Sequence, residues 1–276
     1  MAPPAVNPRR IWLCADDYGL SPGVNAAIRD LLERGRINAT SVMTVTPAFT
    51  REEISSLAAI KAKQPAMAIG LHFTFTAPFE PLTGGDAFQG IGRTLQATML
   101  RQLDRNRIAD EMRAQLEAFQ DAFGSSPDFV DGHQHVQTFP QIRDAVVEAV
   151  AETLPQAWLR QCGRLTPLAQ RLADRKGMLL DVLSTGLRRT ARRNGVDFNP
   201  GFAGSYAFAP NADYAALFPR FLRHLPERGV VMCHPGFVDE TLKRLDPLTD
   251  LREREHGFFV SDAFPQILAE HYVTLS

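Results

Sequence analysis

The stretch Ile11-Trp12-Leu13-Cys14-Ala15-Asp16-Asp17-Tyr18-Gly19 decides the fold. Its first five residues are apolar without alternation, as in a strand buried on both faces of a parallel sheet, and the run stops on two carboxylates. Three later segments repeat that ending: Gly70-Leu71-His72, Asp131-Gly132-His133-Gln134-His135 and Cys233-His234-Pro235-Gly236. Acids and histidines thus fall at strand tips early, midway and late in the chain. A β/α barrel brings such tips to one face; an open sheet gathers them less easily. The pattern predicts the α/β class and a single-domain, TIM-like β/α barrel, regular, distorted or seven-stranded, with an open parallel sheet as the alternative.

Outward from that strand, the chain alternates helix and strand. Ser21 caps a helix with Pro22 at its first position, Val24, Ile28, Leu31 and Leu32 form its apolar face, and Gly35 ends it. A strand over residues 39–45 follows, then a capping box of Thr50 and Glu53 opening a helix to Lys63, then a strand over 66–76. Residues 78–92, rich in Gly, Pro and Thr, read as a long loop shaping a pocket. A helix over 94–123, a strand over 129–131, a helix over 140–153 and a strand over 157–162 come next. Residues 165–194 are helical in pattern and carry Arg188, Arg189, Arg192 and Arg193, either a solvated face or a contact for an anionic group. A strand and loop over 196–206, a helix over 213–225, a strand over 229–233, a helix over 262–270 and a last strand over 272–275 complete the order. No repeat or linker divides it, so residues 11–276 form one expected domain behind a flexible segment, residues 1–10.

Composition narrows the function classes. The 276 residues are 45% hydrophobic and 22% charged, ample for a packed core. A net charge of -1 and a pI near 6.7 give no field favouring nucleic acid or anionic membranes. No uncharged apolar run reaches the roughly 18 residues of a membrane-spanning helix, and the first ten residues lack the apolar core of a secretion signal. The expectation is a cytoplasmic enzyme with a small substrate, whose exposed apolar edge would support a homodimer. Cys14, Cys162 and Cys233, odd in number and set in apolar strands, read as reduced, buried thiols.

Asp and neutral His are donors suited to a divalent ion, and few protein ligands leave room for water and substrate. Successive side chains of an extended strand point opposite ways, so Asp16 and Asp17 should take different roles, one binding metal and one accepting a proton. An acid capping the next helix is the plainer alternative for either. His72, alone among apolar neighbours, reads by itself as a satisfied core or pocket histidine rather than a ligand. On an extended segment His133 and His135 would share one side, with Asp131 orienting a ligand from behind. His234, at the tip of the most apolar strand, is available as a proton donor.

Together these segments resemble the YdjC-like carbohydrate deacetylases, which include chitooligosaccharide deacetylases. The matching pieces are Ala15-Asp16-Asp17-Tyr18-Gly19-Leu20-Ser21 with Asn25, Thr40-Ser41-Val42-Met43, Gly70-Leu71-His72-Phe73, Asp131 to Val136 with Pro140, His234-Pro235-Gly236, and Arg252 with Glu255. They run in family order over nearly the whole chain. The resemblance implies a barrel-like fold and metal-dependent hydrolysis of an N-acetyl group on an amino sugar, oligosaccharide or glycoconjugate. It implies one divalent ion on Asp17, His72 and His133, and a mixed Asp and His set suits zinc or magnesium, with manganese or cobalt also tolerated. It further implies Asp16 as base, His234 as acid, Arg160 steadying Asp16, and His135 as a substrate-binding residue able to exchange roles with His133. One departure is Gln137, where related sequences often carry a third alternating histidine. A barrel phosphoesterase or isomerase, and a sugar-binding protein without catalysis, are the competing classes.

Overall fold

The structure, a computed structural model, describes residues 7–167 and 175–275. β1 (Arg9–Tyr18) is its longest strand and begins two residues ahead of the expected start, so Arg9 and Arg10 belong to the sheet; residues 1–6 lie outside the described residues. α1 (Pro22–Glu33) starts as its sequence demands, with the Val24 N–H donating to Ser21 Oγ at 3.2 Å. β2 (Ala39–Val42), α2 (Arg51–Lys63) and β3 (Ala68–Phe73) follow, the two strands shorter than expected. The helix expected over 94–123 is two helices, α3 (Ile91–Met99) and α4 (Arg105–Phe123), because Arg101 is left-handed and Asp104 caps a new start. Then come β4 (Phe129–Gly132), a tight turn, α5 (Ile142–Thr153) and β5 (Trp158–Leu159). α6 (Arg175–Arg193), β6 (Phe202–Ala203), α7 (Tyr214–Leu222) and β7 (Val230–Cys233) precede two helices with no counterpart in the sequence reading, α8 (Glu240–Leu245) and α9 (Asp250–Val260). α10 (Ala263–Glu270) and β8 (Val273–Leu275) end the chain, and residues 168–174 of the expected helical stretch lie outside the described residues.

All strand pairs are parallel, in the order β5-β4-β3-β2-β1-β7-β6, with β8 added along the start of β1. The two ends of that order approach each other through one irregular segment. Leu159 of β5 bridges Phe198 and donates to the Asp197 carbonyl at 2.8 Å, and four residues later the same segment becomes β6 against β7. The result is a curled sheet of seven strands in that order with β8 as an eighth beside β1, a distorted α/β barrel flanked by helices.

Strand parity then sorts the side chains. Ile11, Leu13 and Ala15, like Ile69, Leu71, Phe73, Val130 and Val231, join the large core under the helices. Trp12, Cys14, Ala39, Ala68, Phe129, Trp158, Phe202, Val230 and Met232 form a separate inner cluster. Phe129 stacks on Trp158 at 4.6 Å, and Trp158 on Trp12 at 6.3 Å, giving that cluster an aromatic floor. Gly70 is required beside it, since a Cβ there would fall 2.4 Å from the Phe129 ring. Two residues further along the same inward columns stand Asp16, Ser41, His72, Asp131, Arg160 and His234. The inner face therefore runs from apolar at the bottom to polar at the strand tips.

Candidate active site

Asp16 is buried and gripped at both oxygens by Arg160, with Nη1 to Oδ2 at 2.6 Å and Nη2 to Oδ1 at 2.7 Å. Burial pushes this carboxyl up, but the guanidinium overrides it and holds Asp16 below its ordinary value. Asp17 has φ 70, and the β1–β2 register shifts between Ala15 and Tyr18, so the expected extended alternation gives way to a bulge that re-aims the second carboxylate. Asp tolerates the left-handed region better than most residues. Asp17 Oδ1 lies 3.3 Å from His72 Nε2 and 3.1 Å from His133 Nδ1, while Oδ2 accepts from Arg252 Nη2 at 2.7 Å. Burial again acts upward, and Arg252 with the two histidines drives Asp17 well below the carboxylate range.

His72 is set from behind. Its Nδ1 meets Asp131 Oδ1 at 2.6 Å and Ser41 Oγ at 3.0 Å, which turns Nε2 toward Asp17. Burial pulls this imidazole down, yet the carboxylates of Asp131 and Asp17 raise it to about 10. Asp131 Oδ2 makes an ion pair with Arg160 at 2.5 Å that lacks hydrogen-bond alignment, so Arg160 joins the two acids behind the site.

One donor atom each from Asp17, His72 and His133 lies within 4.8 Å of the others. Two imidazoles and one carboxylate match a divalent ion, and the surroundings agree: the buried carboxylates Asp16, Asp17, Asp131 and Glu255 outnumber the buried guanidinium groups Arg160 and Arg252. Cys14, Asp16 and Asp131 converge in the same way, but the Arg160 guanidinium already stands among them, 2.8 Å from Cys14 Sγ. Burial also keeps the Cys14 thiol protonated, so this second group does not suit a metal.

Residues 10–270 match the model of the YdjC-like protein family. The chain belongs to the YdjC-like family. Chitooligosaccharide deacetylase of Yersinia pestis (strain Pestoides F) is 32% identical over 237 residues, covering 83% of this chain and 82% of that protein. The protein of the same name from Yersinia pseudotuberculosis serotype O:3 (strain YPIII) aligns equally. Among solved structures, one from Enterococcus faecalis V583 described as a putative cellobiose-phosphate cleavage protein superposes with a TM-score of 0.75 at 21% identity, covering 98% of this chain and 97% of the other. The lactam utilization protein of Thermus thermophilus has the same fold at a TM-score of 0.54 and 14% identity, covering 96% and 98%.

In this YdjC-like chain the two histidines of the His133-Gln134-His135 cluster part company. Gln134 and His135 both have left-handed φ, 53 and 62, so the segment is a turn and the expected shared side does not form. His133 reaches Asp17 and meets the Phe79 ring edge-on at 5.5 Å. His135 turns away to Cys162 Sγ at 3.5 Å and the edge of Phe202, and burial lowers it to about 3, leaving it neutral. A cavity of about 510 Å³, lined by Arg164, Gly204, Arg220 and His224, shares Phe202 with it and does not open over Asp17.

His234 is half-buried at the tip of β7, its ring 5.6 Å from Phe208 and its Nδ1 without a hydrogen-bond partner. Its backbone N–H donates to Glu255 Oε2 at 2.6 Å, and the other Glu255 oxygen accepts from Tyr206 at 2.7 Å. Ser41, Tyr206, Arg252 and Glu255 carry no role in the sequence reading. Ser41, Arg252 and Glu255 lie in stretches that match the family pattern, which was their available signal; Tyr206 lies in none of them, and its contact comes from the fold.

Proposed function

We propose that this protein removes an N-acetyl group from an amino sugar, oligosaccharide or glycoconjugate, releasing acetate and leaving a free amine. What carries the reading is one buried carboxylate with an oxygen turned to two imidazoles, flanked by an arginine-held acid and a strand-tip histidine, in a chain 32% identical to a chitooligosaccharide deacetylase over most of its length. Asp17, His72 and His133 would hold the divalent ion, which when bound polarises the acetyl carbonyl and makes water a competent nucleophile near neutral pH. Asp16, kept ionised by Arg160, accepts the water proton. His234 gives a proton to the departing amine nitrogen. His135, neutral beside Phe202, binds the sugar.

No helix among the described residues is long and apolar enough to cross a membrane. All three cysteines are buried and free, which suits a reducing compartment, and we place the protein in the cytoplasm. The test is acetate release from N,N′-diacetylchitobiose and a panel of N-acetylated sugars, alongside elemental analysis of the purified protein. Acetate with a bound divalent metal supports the reading. Phosphate release from sugar phosphates without acetate, or sugar binding without turnover, would replace it.

A further inference from the structure

We propose that α9 is the positioning element of the site, Arg252 fixing the oxygen that Asp17 turns to the two histidines and Glu255, three residues on, fixing the loop that carries His234. This inference rests on the roles proposed above for Asp17 and His234.

The two grips come from neighbouring turns of one helix. Arg252 is fully buried, and its guanidinium takes Asp17 Oδ2 at 2.7 Å, so only Oδ1 remains to face His72 and His133. It is aimed in turn by Asp246 at 3.0 Å and by the Leu248 carbonyl, which accepts from Nε at 2.9 Å. The loop after β7 is fastened to the same helix at alternate amides. The His234 N–H donates to Glu255 at 2.6 Å, the Gly236 N–H to the Arg252 carbonyl at 3.2 Å and the Val238 N–H to Glu253 at 3.0 Å. The approach is close at Gly236, where a Cβ would lie 3.0 Å from Val24 and 3.2 Å from the Arg252 side chain. Glu255 hydrogen-bonds His234 through its backbone amide, and the ring Nδ1 has no hydrogen-bond partner.

A carboxylate that merely neutralised His234 would be expected on the ring. A carboxylate on the amide sets where the residue stands. α9 therefore sets the separation between the metal ligand and the proton donor, much as outer partners orient the ligands of metal sites. Tyr206, donating to the second Glu255 oxygen, ties the loop after β6 into the same assembly.

Three measurements on the full chain test this. Glu255→Ala should lower kcat for acetate release at least about tenfold and speed amide hydrogen exchange across residues 234–238, with manganese affinity by titration calorimetry within about twofold of the parent. Glu255→Gln keeps an oxygen for the His234 amide and can donate to the Tyr206 oxygen, so it should recover most of both losses. Arg252→Met should weaken manganese binding about 10- to 100-fold. Unchanged exchange and turnover in Glu255→Ala, Glu255→Gln as damaged as Glu255→Ala, or unchanged or tighter manganese binding in Arg252→Met would each overturn the assignment. If the parent protein releases no acetate from any sugar, the deacetylase reading falls alone, because manganese affinity and hydrogen exchange still decide the role of α9.

Discussion

Asp16 and Asp17 are adjacent, both buried and each held by a buried arginine, yet the two halves of the site they anchor are built differently. Arg160 takes both oxygens of Asp16 and also forms an ion pair with Asp131. Arg252 takes one oxygen of Asp17 and leaves the other between two imidazoles. An arginine next to a carboxylate is thus no guide to role by itself. The number of oxygens it leaves free separates a carboxylate kept as an anion from one able to hold a metal.

The sharpest way to break this contrast is at Asp17. Asp17→Asn should weaken divalent binding by more than the roughly 10- to 100-fold typical of outer partners, with acetate release falling to background. Retained metal in elemental analysis would shift the ligand set elsewhere. On the other half, Arg160→Met strands Asp16 and Asp131 as buried charges and should cost about 3–5 kcal/mol of stability, read by urea unfolding. A loss below about 1 kcal/mol would mean that water or another cation already serves those acids.

The histidines give the next effect. With His72 raised to about 10 from an ordinary 6.5, the pairing stabilises the metal-free fold fully below about pH 6.5 and is lost as pH rises through about 10. A metal must displace that proton, so apparent affinity should climb by up to about tenfold per pH unit between about pH 7 and 9, with proton release visible as buffer-dependent heat. A flat profile would place the proton elsewhere. The smallest effect belongs to His135. Its alanine variant should raise the sugar KM about 2- to 10-fold, the scale of one hydrogen bond, and leave metal binding alone.

The sequence disclosed the site unevenly, for physical reasons. Asp16, His72, Asp131 and His234 share inward strand parity, which a run of apolar residues ending on a polar one displays directly. Even Asp17 and His133, which leave that parity through left-handed backbone nearby, remain at the tips where they were expected. α9 stayed hidden because its buried stripe, Leu251, Arg252, Glu255, Phe258 and Phe259, places two charges where apolar residues would announce a helix. The side chains that make α9 useful erase its amphipathic pattern. Arg252 also lies 235 residues from Asp17, and no local rule joins positions so far apart. The barrel followed from alternation, but β5 and β6, only two residues each, could not be delimited, since short strands beside polar loops lack a period to read.

That brevity has a mechanical meaning. β1 spans ten residues and pairs with β2, β7 and β8, whereas the far side of the ring is closed where Leu159 meets Phe198 and by a two-residue β6. The ring thus has a backbone and a seam, and Asp16 and Asp17 both ride on the backbone. The seam is held by the fewest pairings, yet Arg160, the residue after its bridging Leu159, reaches back to grip Asp16, so the backbone and the seam meet at that carboxylate.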